Sequence, residues 1–452
     1  MKTLIFGLQQ KVLRLEEAND MNVDTLSNAL VSPWGRKNLR PLKNKLLKQV
    51  QSAIAHFKPL NSKEYSSNQI QLLDFFCGAG GASLGFAALN KVINIFKFLG
   101  GCDINEISAQ TYANNYGTPL VNEDVVALAN EEGKLYNLLC RLGYDKDKPL
   151  VMIGCAPCQG FSSHRKKNWD EDDDVRNSLI IAFAKIVEQV QPNVIIMENV
   201  PEFLSKRYWK YFSEAKRRFE RNGYVVKQNI FNAASFGVPQ ERFRTVIIGM
   251  KKDFLLPMGI LESKDYITVR DAIGELPPLK AGEASIHDPL HKSIKHKQST
   301  LDVIRQVPHD GGNRPAGVGP SCLEKIKGFS DVYGRLFWDR PSITITHYAR
   351  NPASGRYTHP EQDRSLTARE AASLQSFPTG FEFTGKSDDI YRQIGEAVPP
   401  LLAAGIATDV IIELLSAPPV SFDGTPESIL EPVSNSYSSV IAGIKIKKKR
   451  TR

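Results

Sequence analysis

From Ile70 onward the chain alternates short apolar runs with amphipathic stretches, and this alternation constrains the fold more than any other feature. Runs of four to eight apolar residues are typical of strands covered on both faces, and such strands belong to a parallel sheet joined by crossover helices. IQLLDFF is expected to be a buried strand, GAGGAS a turn and LGFAALNKV the helix after it. The pattern continues through a strand ending at GGCD, the strand LVMIG, the helix NSLIIAFAKIVEQV, the strand NVIIMENV and a helix around YFSEAKRRFERNG. YVVKQNIF and RTVIIGM then follow with no helix between them, which predicts an antiparallel hairpin at one sheet edge. The expected class is α/β: a doubly wound, mostly parallel sheet with an antiparallel hairpin edge.

The periodicity fails between Pro257 and Ser354, where Gly, Pro, His and Asn are dense. That segment reads as a second, loop-rich domain or a set of long functional loops. Regular helices resume at LTAREAASLQSF and VPPLLAAGIATDVIIELL. The expected organisation is a helical extension over residues 1–65, possible as a DNA-binding head or as an appendage packed on the core. A catalytic-type body follows over 69–256, then the irregular segment 257–354, a return to the body over 355–416 and a loose basic tail over 417–452. No apolar run approaches the ~18 residues that span a bilayer, and the N-terminus lacks a secretory pattern. Six cysteines in 452 residues make no disulfide framework. The expected setting is therefore cytoplasmic, with reduced thiols.

Of the net charge of +9, residues 1–65 carry +6 (11 Lys/Arg against 5 Asp/Glu) and residues 445–452 carry another +6, leaving −3 for the body. The ends could attract phosphate without regard to sequence, whereas any nucleic-acid footprint on the body must come from local placement of basic groups.

Several stretches carry chemistry. In DFFCGAGGASLGF, glycines between a strand and a helix let a ligand approach the helix N-terminus. Ser83 stands where the dinucleotide fingerprint needs its third glycine, so a pyrophosphate cofactor is disfavoured. A merely tight turn is the alternative. Asp103 could take the hydroxyls of a ribose and Asp124 an adenine amino group, or both are plain loop acids. In GCAPCQGFSSHR, a zinc site lacks a second ligand pair and a redox pair lacks its usual fold, so a single nucleophile at Cys158 fits better. Glu198 in MENVPEF ends the next strand, where an acid is costly unless paired or functional. Arg242 and Arg244 in QERFR alternate along a strand and are expected on one face; ordinary surface charges are the other reading.

In this order the segments resemble the cytosine-C5 DNA methyltransferase family from about Gln69 to Leu415. DFFCGAGG is similar to the family's S-adenosylmethionine turn, APCQGFS to its nucleophile loop, ENV to its glutamate motif and QERFR to its Gln-x-Arg-x-Arg motif. RSLTAREAASLQSFP and QIGEAVPPLLAAGIA match its last two motifs. The resemblance implies a class I, Rossmann-like methyltransferase fold with a small irregular target recognition domain at 257–354. It implies Cys158 as nucleophile, Glu198 as partner of the cytosine ring, and Arg242 and Arg244 as residues that steady the base. Phe76, Gly78, Ala79, Gly81, Asp103, Ile104, Asp124, Val125, Leu179, Glu396 and Val398 would hold S-adenosylmethionine, and Gln159, Ser162 and Gln240 would meet DNA. Glu396 departs from the Asn common at that position. The implied partner is duplex DNA with a specific cytosine-containing site, bound by a monomer and associated with the nucleoid, with a cognate restriction endonuclease possible as a separate protein. Two other readings are an RNA (tRNA) cytosine-C5 methyltransferase and a methylase-derived DNA-binding regulator. The long variable segment weighs against the first, and the intact Cys158, Glu198 and arginines against the second.

Overall fold

The computed structural model describes residues 39–60, 70–157, 171–323, 331–416 and 425–450. The stretch LIFGLQQKVLRL and the loop from Cys158 to Asp170, with the expected sites Gln159 and Ser162, lie outside the described residues. The chain forms two compact units: Met1–Phe231 with Phe243–Met258 and Ala403–Arg452, and Asn232–Arg242 with Gly259–Leu402.

In the first unit the elements run α1 (Leu39–Ala55), β1 (Ile70–Phe75), α2 (Gly81–Ile93), β2 (Phe96–Cys102), α3 (Glu106–Tyr116), α4 (Val125–Asn130), α5 (Lys134–Arg141) and β3 (Leu150–Gly154). They continue through α6 (Glu171–Val190), β4 (Val194–Asn199), α7 (Trp209–Arg221), β5 (Val225–Asn232) and β6 (Phe243–Met250). The described strands form one sheet in the order β2-β1-β3-β4-β6-β5. Pairings β1 with β2, β1 with β3 and β3 with β4 are parallel, and β4 with β6 is antiparallel. Every residue of β1, β3 and β6 is buried; β3 (LVMIG) is apolar throughout, while β1 carries buried Gln71 and Asp74 and β6 buried Arg244 and Thr245 among its apolar residues. The order steps outward from β1 to β2 in one direction and to β3 and β4 in the other, so loops at the carboxyl ends of β1 and β3 diverge and leave a crevice for ligands.

Helix α1 joins this unit. Leu46, Leu47, Val50 and Ile54 are buried along one helical face. Lys43 Nζ is buried 2.6 Å from Asp409 Oδ1 and 3.1 Å from Glu413 Oε1 of the later helix α12 (Pro400–Leu415). Lys43→Met leaves two carboxylates buried without their cation, so we expect the full chain to lose about 3 kcal/mol of stability, read from denaturant unfolding; an unchanged midpoint contradicts this account of the contact.

The second unit holds short helices, α8 (Val269–Ile273), α9 (Gln298–Arg305), α10 (Ala368–Leu374) and α11 (Ser387–Glu396), and a small apolar cluster of Val303, Ile304, Val307, Val332 and Tyr333. Buried guanidiniums tie the loops of this unit together. Fully buried Arg335 donates to the carbonyls of Ile304, Val307, His359 and Gln362 at 2.9–3.1 Å. Arg364 forms a bidentate pair with buried Glu370 at 2.7 and 2.8 Å. The Arg335 bonds to His359 and Gln362 join residues after 354 to those before it, and the return to the first unit falls at Ala403 rather than at 355.

Helix α12 (Pro400–Leu415) is long and apolar enough, with the residues before it, to pass for a membrane span, yet that stretch is 83% buried inside the protein, as befits a core helix. It crosses α2 so closely that a Cβ on Gly85 would lie 2.3 Å from the Ala404 nitrogen. The expectation of a loose tail is corrected for residues 425–444. Ile429 and Ser428 hydrogen-bond Gln228 of the sheet-edge strand β5, and Val433 pairs with Leu204. Helix α13 (Tyr437–Arg450) buries Val440. Scattered apolar residues in a Pro/Ser-rich stretch gave no periodic signal, but together they cover an edge strand.

Candidate active site

The carboxyl ends of β1 to β4 bring together most of the residues singled out in the sequence. After β1 the backbone turns through Phe76 (φ +56°), Gly78 (φ +52°) and Gly80 (φ +93°), conformations that only glycine adopts freely. Ala79 is buried, and Gly81 opens α2, whose N-terminus has no side-chain cap. Beside Gly78 a Cβ would meet no atom within 4 Å, so this side of the turn is open. Gly78 N–H donates to Asp103 Oδ2 at 2.9 Å, and Asn105 N–H to Asp103 Oδ1 at 2.8 Å, fixing the carboxylate at the end of β2. Ile104 next to it is 73% exposed, a large apolar side chain facing out at a strand end. Asn122 donates to the carbonyls of Asp103 and Ile104 at 3.0 and 2.8 Å, which draws in the segment carrying Asp124. Asp124 caps α4 through Oδ1 and Val126 N–H at 2.8 Å, and Val125 is buried beneath it. Phe76 and Leu179 are partly buried against the main core. The structure thus gathers Phe76, Gly78, Ala79, Gly81, Asp103, Ile104, Asp124 and Val125 at two adjacent strand ends.

Burial raises the Asp74 carboxyl, at the strand end before Phe76, to about 7, with Ser83 opposing the shift and Asp103 adding to it. Its Oδ2 accepts from Ser83 Oγ at 2.7 Å, while Oδ1 is buried without a hydrogen-bond partner among the described residues. An acid whose folded pKa lies above its unfolded one contributes stability fully present below pH ~4 that is lost as pH rises towards 7. We expect Asp74→Asn to flatten that decline in denaturant midpoints measured from pH 4 to 8; a parallel decline in both proteins contradicts it.

At the end of β3 the chain passes through Cys155 to Pro157. Cys155 N–H donates to Phe75 O at 3.3 Å, and Ala156 O accepts from Asn199 Nδ2 at 3.3 Å, so the segment leading to Cys158 is tied to both neighbouring strand ends. Burial, then the charges of Glu198 and Asp74, push the Cys155 thiol well above its usual range, which disfavours its thiolate. Cys158 itself lies outside the described residues. Glu198, next to last in β4, lies opposite Val246 of β6, which makes Arg244 its diagonal neighbour on the same face. Arg244 Nε stands 2.8 Å from Glu198 Oε1, both side chains only about a tenth exposed (10% and 12%).

The expected pairing of the two arginines on one strand face is corrected. β6 begins at Phe243, so Arg242 precedes the strand and falls in the second unit. Its buried guanidinium donates to the carbonyls of Ile345, Gly395 and Ala397 at 2.9–3.1 Å, an internal clamp on three loop carbonyls. Gln240, expected against DNA, is fully buried: its amide donates to Leu374 O and Gln375 Oε1 and accepts from Ile345 N–H, which leaves no edge for a base. Glu396 is exposed at the end of α11 and Val398 buried after it, both in the second unit. Asn199 and Asn122 escaped notice in the sequence because an Asn that binds a carbonyl through its amide leaves no periodic trace; for Asn199 the adjacency to Glu198 was a usable signal.

A family model described as C-5 cytosine-specific DNA methylase matches residues 70–411. The chain is 37% identical over 342 residues to Type II methyltransferase M1.HphI of Haemophilus parahaemolyticus, covering 75% of this chain and 86% of that protein. It is 30% identical over 348 residues to Type II methylase M.HgiDII of Herpetosiphon aurantiacus, covering 75% and 94%. A solved structure described as a DNA modification methyltransferase encoded within a prophage (E. coli) shares the fold, with a TM-score of 0.57, 24% identity and coverage of 76% of this chain and 99% of that one.

Proposed function

Because the chain belongs to the C-5 cytosine-specific DNA methylase family, we propose that it methylates C5 of a cytosine flipped out of duplex DNA, with S-adenosylmethionine as donor and a covalent bond from Cys158 to C6. The observation that carries this reading is the buried Glu198–Arg244 pair beside a loop that Asn199 ties down immediately before Cys158. The residues present fit the donor: an uncapped helix N-terminus, open space at Gly78, an anchored Asp103 and an exposed Ile104 suit an adenosine with a short charged tail. When bound, S-adenosylmethionine supplies an electrophilic methyl group.

C5 of cytosine is a poor nucleophile, and the chain's residues change that. The Cys158 thiolate adds to C6 and breaks the ring's aromaticity, making C5 enamine-like. Glu198 hydrogen-bonds or protonates N3, where charge develops, and Arg244 holds Glu198 in place. Once C5 has taken the methyl group, the C5 proton leaves, the C6–sulfur bond breaks and Cys158 departs as thiolate. Reaching C6 requires flipping, at a cost of about a few kcal/mol that DNA contacts must offset. The irregular segment 257–354 then serves as the target recognition domain, acting in the cytoplasm, where a restriction endonuclease recognising the same site is the natural companion. Incubation with labelled donor and either duplex DNA or tRNA, followed by nucleoside analysis, tests this. The expected product is 5-methylcytosine in DNA; label in tRNA alone overturns the substrate.

A further inference from the structure

The family match begins at Ile70 and leaves residues 39–60 without a role. Their placement supplies one. After α1, whose Lys43 is held by Asp409 and Glu413, the ring of Phe57 packs against Tyr116 with centroids 6.3 Å apart, and Leu60 N–H donates to Asn115 O at 2.8 Å. Tyr116 is fully buried, stacked on Phe98 at 5.5 Å and set against Tyr112 at 4.4 Å. Its hydroxyl donates to Gly80 O, the carbonyl that also accepts the first α2 bond from Leu84 N–H at 2.9 Å. The fit is close: a Cβ on Gly80 would lie 2.4 Å from Tyr116 Cε2 and 2.9 Å from Tyr112 Cδ2. The tyrosine ring therefore fills the space behind the same turn whose other side, at Gly78, is open.

We propose that Tyr116 is a positioning residue for the donor-binding turn and that residues 39–60 are a built-in buttress for it, so that the N-terminal segment sets affinity for S-adenosylmethionine. The proposal rests on the functional reading above. Loosening Phe57 gives Tyr116 room to move, Gly80 follows, and the N–H groups at the start of α2 lose their aim; the chemical step, at the ends of β3 and β4, is untouched. A DNA-binding head built from the same segment would instead act on DNA affinity.

The two are separated in the full chain with Phe57→Ala and Tyr116→Phe. Donor binding is measured by calorimetry without DNA, alongside KM for the donor, kcat, DNA affinity at two salt concentrations and the thermal midpoint. Tyr116→Phe is expected to raise Kd and KM for S-adenosylmethionine about fivefold, the scale of one hydrogen bond, with kcat and DNA affinity within about twofold, and Phe57→Ala to move them in the same direction. Should Phe57→Ala fail to fold, Phe57→Leu and Tyr116→Phe carry the test. Unchanged donor affinity in Tyr116→Phe, or a loss confined to DNA affinity in the Phe57 variant, overturns the proposal. A wild-type chain that binds no S-adenosylmethionine overturns the functional reading and the buttress with it, whereas equal binding by wild type and variants overturns the buttress alone.

Discussion

Cys158→Ala is expected to lower kcat for methyl transfer by about 10⁴-fold or more, the scale on which loss of a covalent nucleophile acts, while leaving affinity for duplex DNA and for S-adenosylmethionine within a few-fold. The reason is chemical: without addition at C6 the ring keeps its aromaticity, and neither the Glu198 carboxyl nor the donor makes C5 nucleophilic. Cys155→Ala supplies the contrast. Its thiol is held well above the usual range by burial and by Glu198 and Asp74, and we expect transfer to survive its loss within about tenfold. Single-turnover transfer with each variant decides between the two cysteines; equal losses would count against unequal roles.

Arg244→Ala has the second large effect, on stability and rate together. The Glu198–Arg244 pair is nearly buried at 2.8 Å, so removing the cation leaves a carboxylate at the end of β4 without its partner. Breaking such a pair costs about 3 kcal/mol, and Glu198 then relieves the cost by binding a proton or turning away from the position where it meets N3. Activity should fall by about 10²-fold or more, the range of one misplaced acid–base group. Arg244→Lys should recover part of the stability and less of the activity, because an ammonium on a flexible stem does not reproduce the placement of Arg244 Nε against Glu198 Oε1. Activity equal to wild type in Arg244→Ala contradicts this use of the pair.

The parts of the fold legible in the sequence are those set by burial on both faces. β1, β3 and β6 are wholly buried, and each is built around a run of apolar residues, unbroken in β3 and interrupted by Gln71 and Asp74 in β1 and by Arg244 and Thr245 in β6. Glu198 is legible because an acid at the end of a buried strand is costly unless paired, and Arg244 stands beside it; Asp103 is legible as an acid just after a strand, and Gly78 N–H and Asn105 N–H hold it there. What escaped depends on where a long side chain turns once the backbone is set. Arg242 and Arg244 are two residues apart, yet one clamps the carbonyls of Ile345, Gly395 and Ala397 and the other holds Glu198, because the strand begins between them. Gln240 reads as an exposed polar residue, but its partners are 105 to 135 residues away. The extent of the second unit is likewise a matter of distant polar contacts: Arg335 and Arg364 bind carbonyls and carboxylates that have no apolar period. Residues 425–444 were missed for the opposite reason, their apolar contacts being too sparse to register.

A covalent bond from Cys158 to C6 of a cytosine in DNA is the proposed intermediate, and a mechanism-based trap would capture it. A duplex carrying 5-fluorocytosine at the methylated position, incubated with the full chain and S-adenosylmethionine, stalls after methyl transfer because the C5 fluorine cannot leave as a proton does. The expected result is a protein–DNA adduct stable to denaturation, dependent on the donor, with peptide mapping placing the DNA on Cys158 and no adduct from Cys158→Ala. Methylation of unmodified DNA with no adduct to the fluorinated duplex, or an adduct at Cys155, would contradict it.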